Sequence, residues 1–450
     1  MKRLFILIVL AFSLAQAGDP RISVLYSRFT LPNGLDVILH EDHSVPTVAV
    51  NLCYHVGSAS EKPGRTGFAH LFEHIMFMGS KDVPQGKFDR WLEAAGGDNN
   101  ASTTADRTEY FENVPANALE LPLFLESDRM GFLLDSMTAA KVNAQREVVK
   151  NERRETVENA PYGLAPILVY ENLYPPDHPY HWPTIGSMAD LSAASYDDVV
   201  GFFRTYYLPN NASLVIAGDI DPVKTKAEVE HWFSDVRRGP PLPPRPVPVA
   251  RLTAEKRVVQ EDRVELPRLY MAWNTPAEFT PGDAELDLLA SVLAGGKNSR
   301  LYKRLVYDMQ IAQDVSAAQV SAPLGSAFWI VVTARSGHTL TEIEHAVHEE
   351  LNAIKNKPPS QRELERAVNQ YEASFLDRLE NIGSTAALLN TYVRLTGNPD
   401  YFNEDLARYK AIDPSDVQTI AGNWLLDEAR VVLSIVPNGK KELAATKESH

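Results

Sequence analysis

The chain has 450 residues, and its 44 basic against 59 acidic side chains leave a formal charge of −15. That balance, with no basic arm and no phosphate-binding glycine loop, argues against a nucleic-acid partner, because phosphate contacts need clustered Lys and Arg. A single cysteine, Cys53, excludes an intrachain disulfide, so stability must come from packed cores, two or more at this length.

Residues 1–17 read as a secretory signal, with Lys2 and Arg3, an apolar run from Leu4 to Leu14 and Ala15-Gln16-Ala17 as a small-residue cleavage site. The run is too short to span a bilayer and no other long apolar stretch follows, so the mature chain is expected to cross the inner membrane and carry no span. A periplasmic or extracellular location follows. Tyr26 to Leu39 reads as a hairpin about Pro32-Asn33-Gly34, and the nearly continuous apolar run from Val45 to His55 as a central strand.

The next segment is the most informative. Within residues 67–79, His70 and His74 stand one helical turn apart with Glu73 on the same face, while Phe68, Leu71, Phe72 and Ile75 form the opposite apolar stripe. Thr66 is the expected N-cap and Gly79 the expected stop. The order His-x-x-Glu-His is the inverted zinc-peptidase signature. Two imidazoles so placed can bind one zinc at about 2.0–2.1 Å, and a catalytic site then needs a third protein ligand and a water. Glu73 is placed to take that water's proton.

A helix is predicted over 86–95, then a strand pair in which Asn100 to Thr103 forms an edge. That edge is either a template for an extended peptide or an ordinary polar strand. The helical run from Thr138 to Glu158 offers Glu147, Glu152, Glu155 and Glu158 as a third ligand. Its inward stripe of Val142, Gln145, Val148 and Val149 continues to Glu152, while Glu147 faces elsewhere. Within the loop from Tyr174 to His181, His178 and His181 read as local hydrogen-bonders. A helix over 195–207 and a strand over 212–218 precede the proline-rich stretch 238–250, which cannot enter a helix or central strand.

The second half echoes the first at an offset near 218 residues: Asp198-Val199 and Leu214-Val215 return as Asp416-Val417 and Val432-Leu433. The zinc-type helix returns as residues 287–296, where His70, Glu73 and His74 fall on Asp287, Ala290 and Ser291, which cannot hold zinc. The expected fold class is therefore α+β: two duplicated α/β sandwich domains joined by the proline-rich linker. The first domain spans 18–237 and holds the metal; the second spans 251–437 and does not. A polar tail, 438–450, is expected to fray.

With Gly57-Ser58, the motif from His70 to His74, Asn100-Ala101 with Thr103, the Glu-rich helix, His178-Pro179 with Gly186, and Tyr207-Leu208-Pro209-Asn210 leading to Ala217-Gly218-Asp219, the chain resembles the pitrilysin or insulinase family. The likeness is to its short two-domain branch, which includes mitochondrial processing peptidase and bacterial periplasmic relatives. The resemblance implies one Zn2+ per chain with Glu152 as third ligand, a closed chamber clasped by two such chains, and Asn100, Ala101 and Thr103 holding the substrate backbone. Two departures matter. Gln145 stands where the family often has a second carboxylate that supports the site, and alignment on Ser299-Arg300-Leu301 puts Val306 and Gln313 where the family has an Arg and a Tyr that reach the substrate. The expectation is an obligate heterodimer, this chain being the zinc subunit and its homologous partner carrying the Arg/Tyr pair, that hydrolyses peptides or unfolded polypeptides. The alternatives are a self-sufficient homodimer and a non-catalytic peptide-holding subunit.

Overall fold

The computed structural model describes residues 21–242, 247, 248 and 250–447. The expected signal segment, part of the proline-rich stretch and the last three residues of the tail lie outside the described residues. In the first half, strands β1 (Tyr26–Thr30), β2 (Asp36–Glu41), β3 (Thr47–Tyr54), β4 (Asp98–Thr103), β5 (Thr108–Pro115) and β6 (Ala212–Gly218) form one sheet in the order β1-β2-β6-β3-β5-β4. In the second half β7 (Lys256–Asp262), β8 (Arg268–Thr275), β9 (Ala312–Val320), β10 (Ser326–Ala334) and β11 (Val431–Pro437) form another, in the order β7-β11-β8-β10-β9. The pair β2/β6 is parallel, as is β7/β11, and every other neighbouring pair is antiparallel. The second sheet thus repeats the path of the first without a counterpart of β1.

The helices of the first half are α1 (Phe68–Ile75), α2 (Phe88–Ala94), α3 (Glu120–Ser136), α4 (Ala139–Arg153), α5 (Ala165–Leu173), α6 (Met188–Ala193), α7 (Tyr196–Tyr206) and α8 (Pro222–Phe233). Those of the second are α9 (Asp283–Ala294), α10 (Leu340–Asn356), α11 (Gln361–Leu379), α12 (Ile382–Thr396), α13 (Phe402–Lys410) and α14 (Pro414–Trp424). Both central strands are buried on two faces, which is why they read as continuous apolar runs. Val48, Val50, Leu52 and Tyr54 of β3 face a core shared with Phe68, Leu71, Phe72 and Ile75 of α1. The residues between them face the other way, onto α12 of the second half.

This exchange is reciprocal. Helix α12 covers β3 and β6 of the first sheet, while α5 covers β8 and β11 of the second, through Ala165, Val169 and Leu173 against Ala272, Leu433 and Ile435. The two helices occupy equivalent places in the repeat, so each half caps the open face of the other's sheet. A polar link locks the exchange: Ser213 donates to Asn390 Oδ1 at 2.6 Å, and Asn390 donates to the Asn51 carbonyl at 2.9 Å. Buried amides so paired avoid the cost of an unmet hydrogen bond.

Four local expectations need correction. Helix α1 starts after Gly67 and ends at Ile75, so neither Thr66 nor Gly79 is its cap residue. Val148 is 46% exposed, because only Val142 and Val149 of that stripe reach the core. The echo of the zinc-type helix is α9, which begins four residues earlier than predicted because its first turn is fixed by the Glu285 carboxylate accepting from the Gly282 N–H. Finally the tail is anchored at one point among its described residues: Ala444 and Ala445 are buried, and the Ala445 N–H donates to Ser434 Oγ at 3.0 Å. Two small apolar residues let the backbone lie close against β11.

Candidate metal centre

Helix α1 is seated by its apolar stripe and held at its start by acids that local spacing does not reveal. Glu61, itself buried, accepts from the Gly67 N–H at 3.0 Å and the Ala69 N–H at 2.8 Å. Its carboxylate thereby meets the first-turn donors of the helix, which have no partners of their own. Burial pushes the Glu61 pKa up, against the pull of those N–H groups. Thr66 is turned instead to Asp190, to which its hydroxyl donates at 2.6 Å. The only sequence signal for Glu61 is the Pro63-Gly64 turn behind it, which folds the chain back onto the helix start. Gly67 and Gly186, both in left-handed backbone, touch so closely that a Cβ on Gly186 would stand 2.4 Å from the Gly67 Cα.

With α1 so fixed, His70 and His74 project together, their ring centroids 4.8 Å apart. Helix α4 is capped by the Thr138 side chain and runs alongside α1, burying Val142 and Val149. Three residues beyond Val149, Glu152 meets the histidines: its two carboxylate oxygens lie 3.6 Å from His70 Nε2 and 3.2 Å from His74 Nε2. Just past it the winding loosens to a π-helical turn over Arg154–Glu158, a feature frequent near functional sites. The three donor atoms lie within 4.8 Å of one another, the one group of its kind among the described residues.

The donor set fits zinc. Around a tetrahedral ion with bonds of about 2.0–2.1 Å, ligand atoms stand about 3.3 Å apart, a value that the observed 3.2 and 3.6 Å separations bracket. Burial, with a smaller contribution from His74, lowers the His70 pKa to about 4, so the imidazole is neutral and offers a lone pair near neutral pH. The other nitrogen, Nδ1, is buried without a hydrogen-bond partner among the described residues. Gln145 does not supply one, since its amide donates to Met78 Sδ.

Glu73 lies on the same face. Thr103 donates to its Oε2 at 2.5 Å, and burial raises the carboxyl pKa against that bond. Thr103 ends β4, which is the edge of its sheet. The Thr104 N–H donates to the Arg107 carbonyl, and strand alternation from that bond turns the backbone groups of Ala101 and Thr103 to the open side. Consistent with this, the Ala101 N–H is held by its neighbour's side chain, Asn100 Oδ1, at 2.8 Å. Val306 packs beside the second core and Gln313 is exposed at the start of β9, so neither is a substitute for the Arg and Tyr of the resembling family.

The family described as Insulinase (Peptidase family M16) matches residues 36–174, and that described as Peptidase M16 inactive domain matches residues 193–371. The zinc protease PqqE of Helicobacter pylori is 27% identical over 422 residues, covering 92% of this chain and 93% of that protein. The probable mitochondrial-processing peptidase subunit beta of Arabidopsis thaliana is 23% identical over 424 residues, covering 91% and 78%. A crystal structure of a protease from Helicobacter pylori superposes with a TM-score of 0.87 at 25% identity, covering 92% of this chain and all of that one.

Proposed function

Because the chain belongs to the pitrilysin or insulinase peptidase family, M16, in its short two-domain branch, we propose that it is a zinc-dependent endopeptidase with His70, His74 and Glu152 as ligands and Glu73 as general base. One observation carries this reading: two imidazole nitrogens and a carboxylate converge within 4.8 Å beside a second, half-buried carboxyl, that of Glu73. Bound there, one Zn2+ per chain would polarise the scissile carbonyl and bring the pKa of a water toward 7.

The remaining roles belong to the protein's own side chains. Glu73 Oε2 is engaged by the Thr103 hydroxyl, which leaves Oε1 free to accept the proton of the attacking water and to pass it to the leaving amine nitrogen. The open edge of β4 receives the substrate backbone as an added strand, with Ala101 and Thr103 offering backbone groups and Asn100 releasing the Ala101 N–H. An extended chain is required for that pairing, so the substrates are peptides or unfolded segments held in a chamber.

The chamber needs a second subunit. Val306 cannot donate a hydrogen bond and Gln313 carries no charge, so this chain lacks the Arg/Tyr pair that would grip substrate, and a homologous partner supplies it in a heterodimer. The name of the Arabidopsis relative as a subunit favours this arrangement over a self-sufficient homodimer. The division into a metal-bearing half and a half without ligands, parted at 238–250, and export to the periplasm directed by residues 1–17 belong to the same reading. Its test is hydrolysis of an unfolded polypeptide by zinc-loaded protein, alone and with a homologue bearing Arg and Tyr: Glu73→Gln should abolish turnover while zinc stays bound. Unchanged turnover in that variant would contradict it.

A further inference from the structure

The seam between the two halves encloses a cavity of about 630 Å³, within the size range of pockets that bury small ligands or side chains. One of its walls is Thr103, whose hydroxyl also holds Glu73. The cavity and the metal centre therefore share a residue. The β4–β5 turn, residues 104–107, forms the rim beyond it. A peptide laid along the β4 edge and continued past Thr103 runs to that rim.

The opposite wall is aromatic, and the polar tips of its rings already have hydrogen-bond partners. Tyr174 donates its hydroxyl to the Gly325 carbonyl at 3.0 Å, and Trp182 donates its indole N–H to the Ser58 carbonyl at 2.9 Å. Tyr180 donates to Asp106 at 2.7 Å and accepts from the Leu324 N–H at 3.1 Å. Tyr170 stacks on Tyr174 at 5.8 Å. With those tips engaged by both halves, what remains for an occupant is a largely apolar lining that includes Pro166, Ile167, Tyr170 and Val320, which suits an apolar or aromatic side chain.

Polar groups from the second half complete the pocket. Arg394, on α12, borders the cavity, and its buried Nε has no hydrogen-bond partner among the described residues. Glu278 borders it too, with its carboxyl pushed up to about 7 by burial. A guanidinium opposes a basic side chain, and Glu278 with Asp106 opposes an acidic one. An uncharged aromatic side chain is opposed by neither sign of charge.

We propose that this cavity is the specificity pocket of the enzyme, receiving a phenylalanine or tyrosine side chain of the substrate that flanks the scissile bond beyond Thr103. The inference rests on the peptidase reading for its consequence, but occupancy can be measured without turnover. Zinc-loaded Glu73→Gln protein would be titrated with labelled peptides identical except at one residue, scanned along the chain as Phe, Tyr, Gly, Glu or Lys. At one position, Phe and Tyr peptides should bind about tenfold tighter than Gly, as expected for burying a whole ring. Two substitutions that fill the space from opposite halves, Ile167→Trp and Val320→Trp, should each shrink that ratio to about twofold or less, with zinc content and unfolding temperature confirming that the fold is kept.

In the background with Glu73 intact, cleavage sites in a peptide library should be enriched in aromatic residues at that same position, and either filling substitution should erase the enrichment. An aromatic preference that survives both fillings, or a preference for Glu or Lys, overturns the pocket. Aromatic-dependent binding that is lost on filling, in a protein whose wild type cleaves nothing, upholds the pocket and overturns the peptidase reading instead.

Discussion

Glu73 sits where burial favours its protonated form and the Thr103 hydroxyl favours the carboxylate, so the base is balanced between two opposing influences. Removing the hydroxyl without removing bulk tests that balance. Thr103→Val should lower kcat by about tenfold or more, a modest part of the 10²–10⁴-fold that general base catalysis contributes. Zinc content measured on the same sample should be unchanged. A second residue-scale effect lies at the helix start. Gly186 has φ +75 and its added Cβ would meet the Gly67 backbone and the Thr66 carbonyl within 2.5 Å. Gly186→Ala should therefore destabilise the protein by more than about 1 kcal/mol, beyond the cost of a left-handed alanine alone, and weaken metal binding by shifting α1. Denaturant unfolding and zinc titration of the variant read the two effects separately.

At the scale of elements, the ligand helices were legible and their anchors were not. The 3.6-residue period in His70, Glu73 and His74, and again from Val142 through Val149 to Glu152, places each side chain on a face from spacing alone. What holds α1 in place comes from Glu61 and Asp190, which reach it through turns rather than through helical period, so Thr66 looked like the cap. The repeat near 218 residues was visible too, yet sequence order does not say which sheet a helix covers. The crossing of α5 and α12 between halves emerged only in three dimensions. That crossing makes a prediction: Leu389, buried where α12 meets the first sheet, should cost about 2–5 kcal/mol when changed to Ala. Fluorescence and circular dichroism should still report one coincident transition, because neither half can shed the helix of the other without exposing its own sheet.

The equivalent of the metal helix also carries a pH signature. Asp287, the counterpart of His70, accepts from the Tyr409 hydroxyl at 2.7 Å, and burial raises its pKa from the ordinary 3.8 to about 7. Between those values the folded chain holds a proton that the unfolded chain has lost, so this carboxyl's contribution is fully present below about pH 4 and declines to its minimum as pH rises through 7. Asp287→Asn removes the titration. Its melting temperature relative to wild type should rise from pH 5 to pH 8; a fall over that range would mean that Asp287 is ionised in the fold.

For the molecule as a whole, the two sheets follow the same strand path apart from β1, but among the described residues only the first half brings together groups that could hold a metal, and the proposed reading gives Val306 and Gln313 of the second half no part in gripping substrate. On the proposed reading, a homologous partner polypeptide completes the chamber. Mixing with a homologue that carries Arg and Tyr should raise kcat/KM by about 10²-fold, the scale seen when a transition-state hydrogen bond is restored. Equal activity of the chain by itself would leave a homodimer as the working form.

All of these roles depend on a single ion at one place. Metal analysis by inductively coupled plasma mass spectrometry, on chain purified without added zinc and on its Glu152→Gln variant in parallel, addresses this most directly. The account predicts close to one zinc per wild-type chain and a small fraction of that in the variant. A wild-type chain that takes up no zinc even when it is supplied, or a variant that retains as much as wild type, would contradict it.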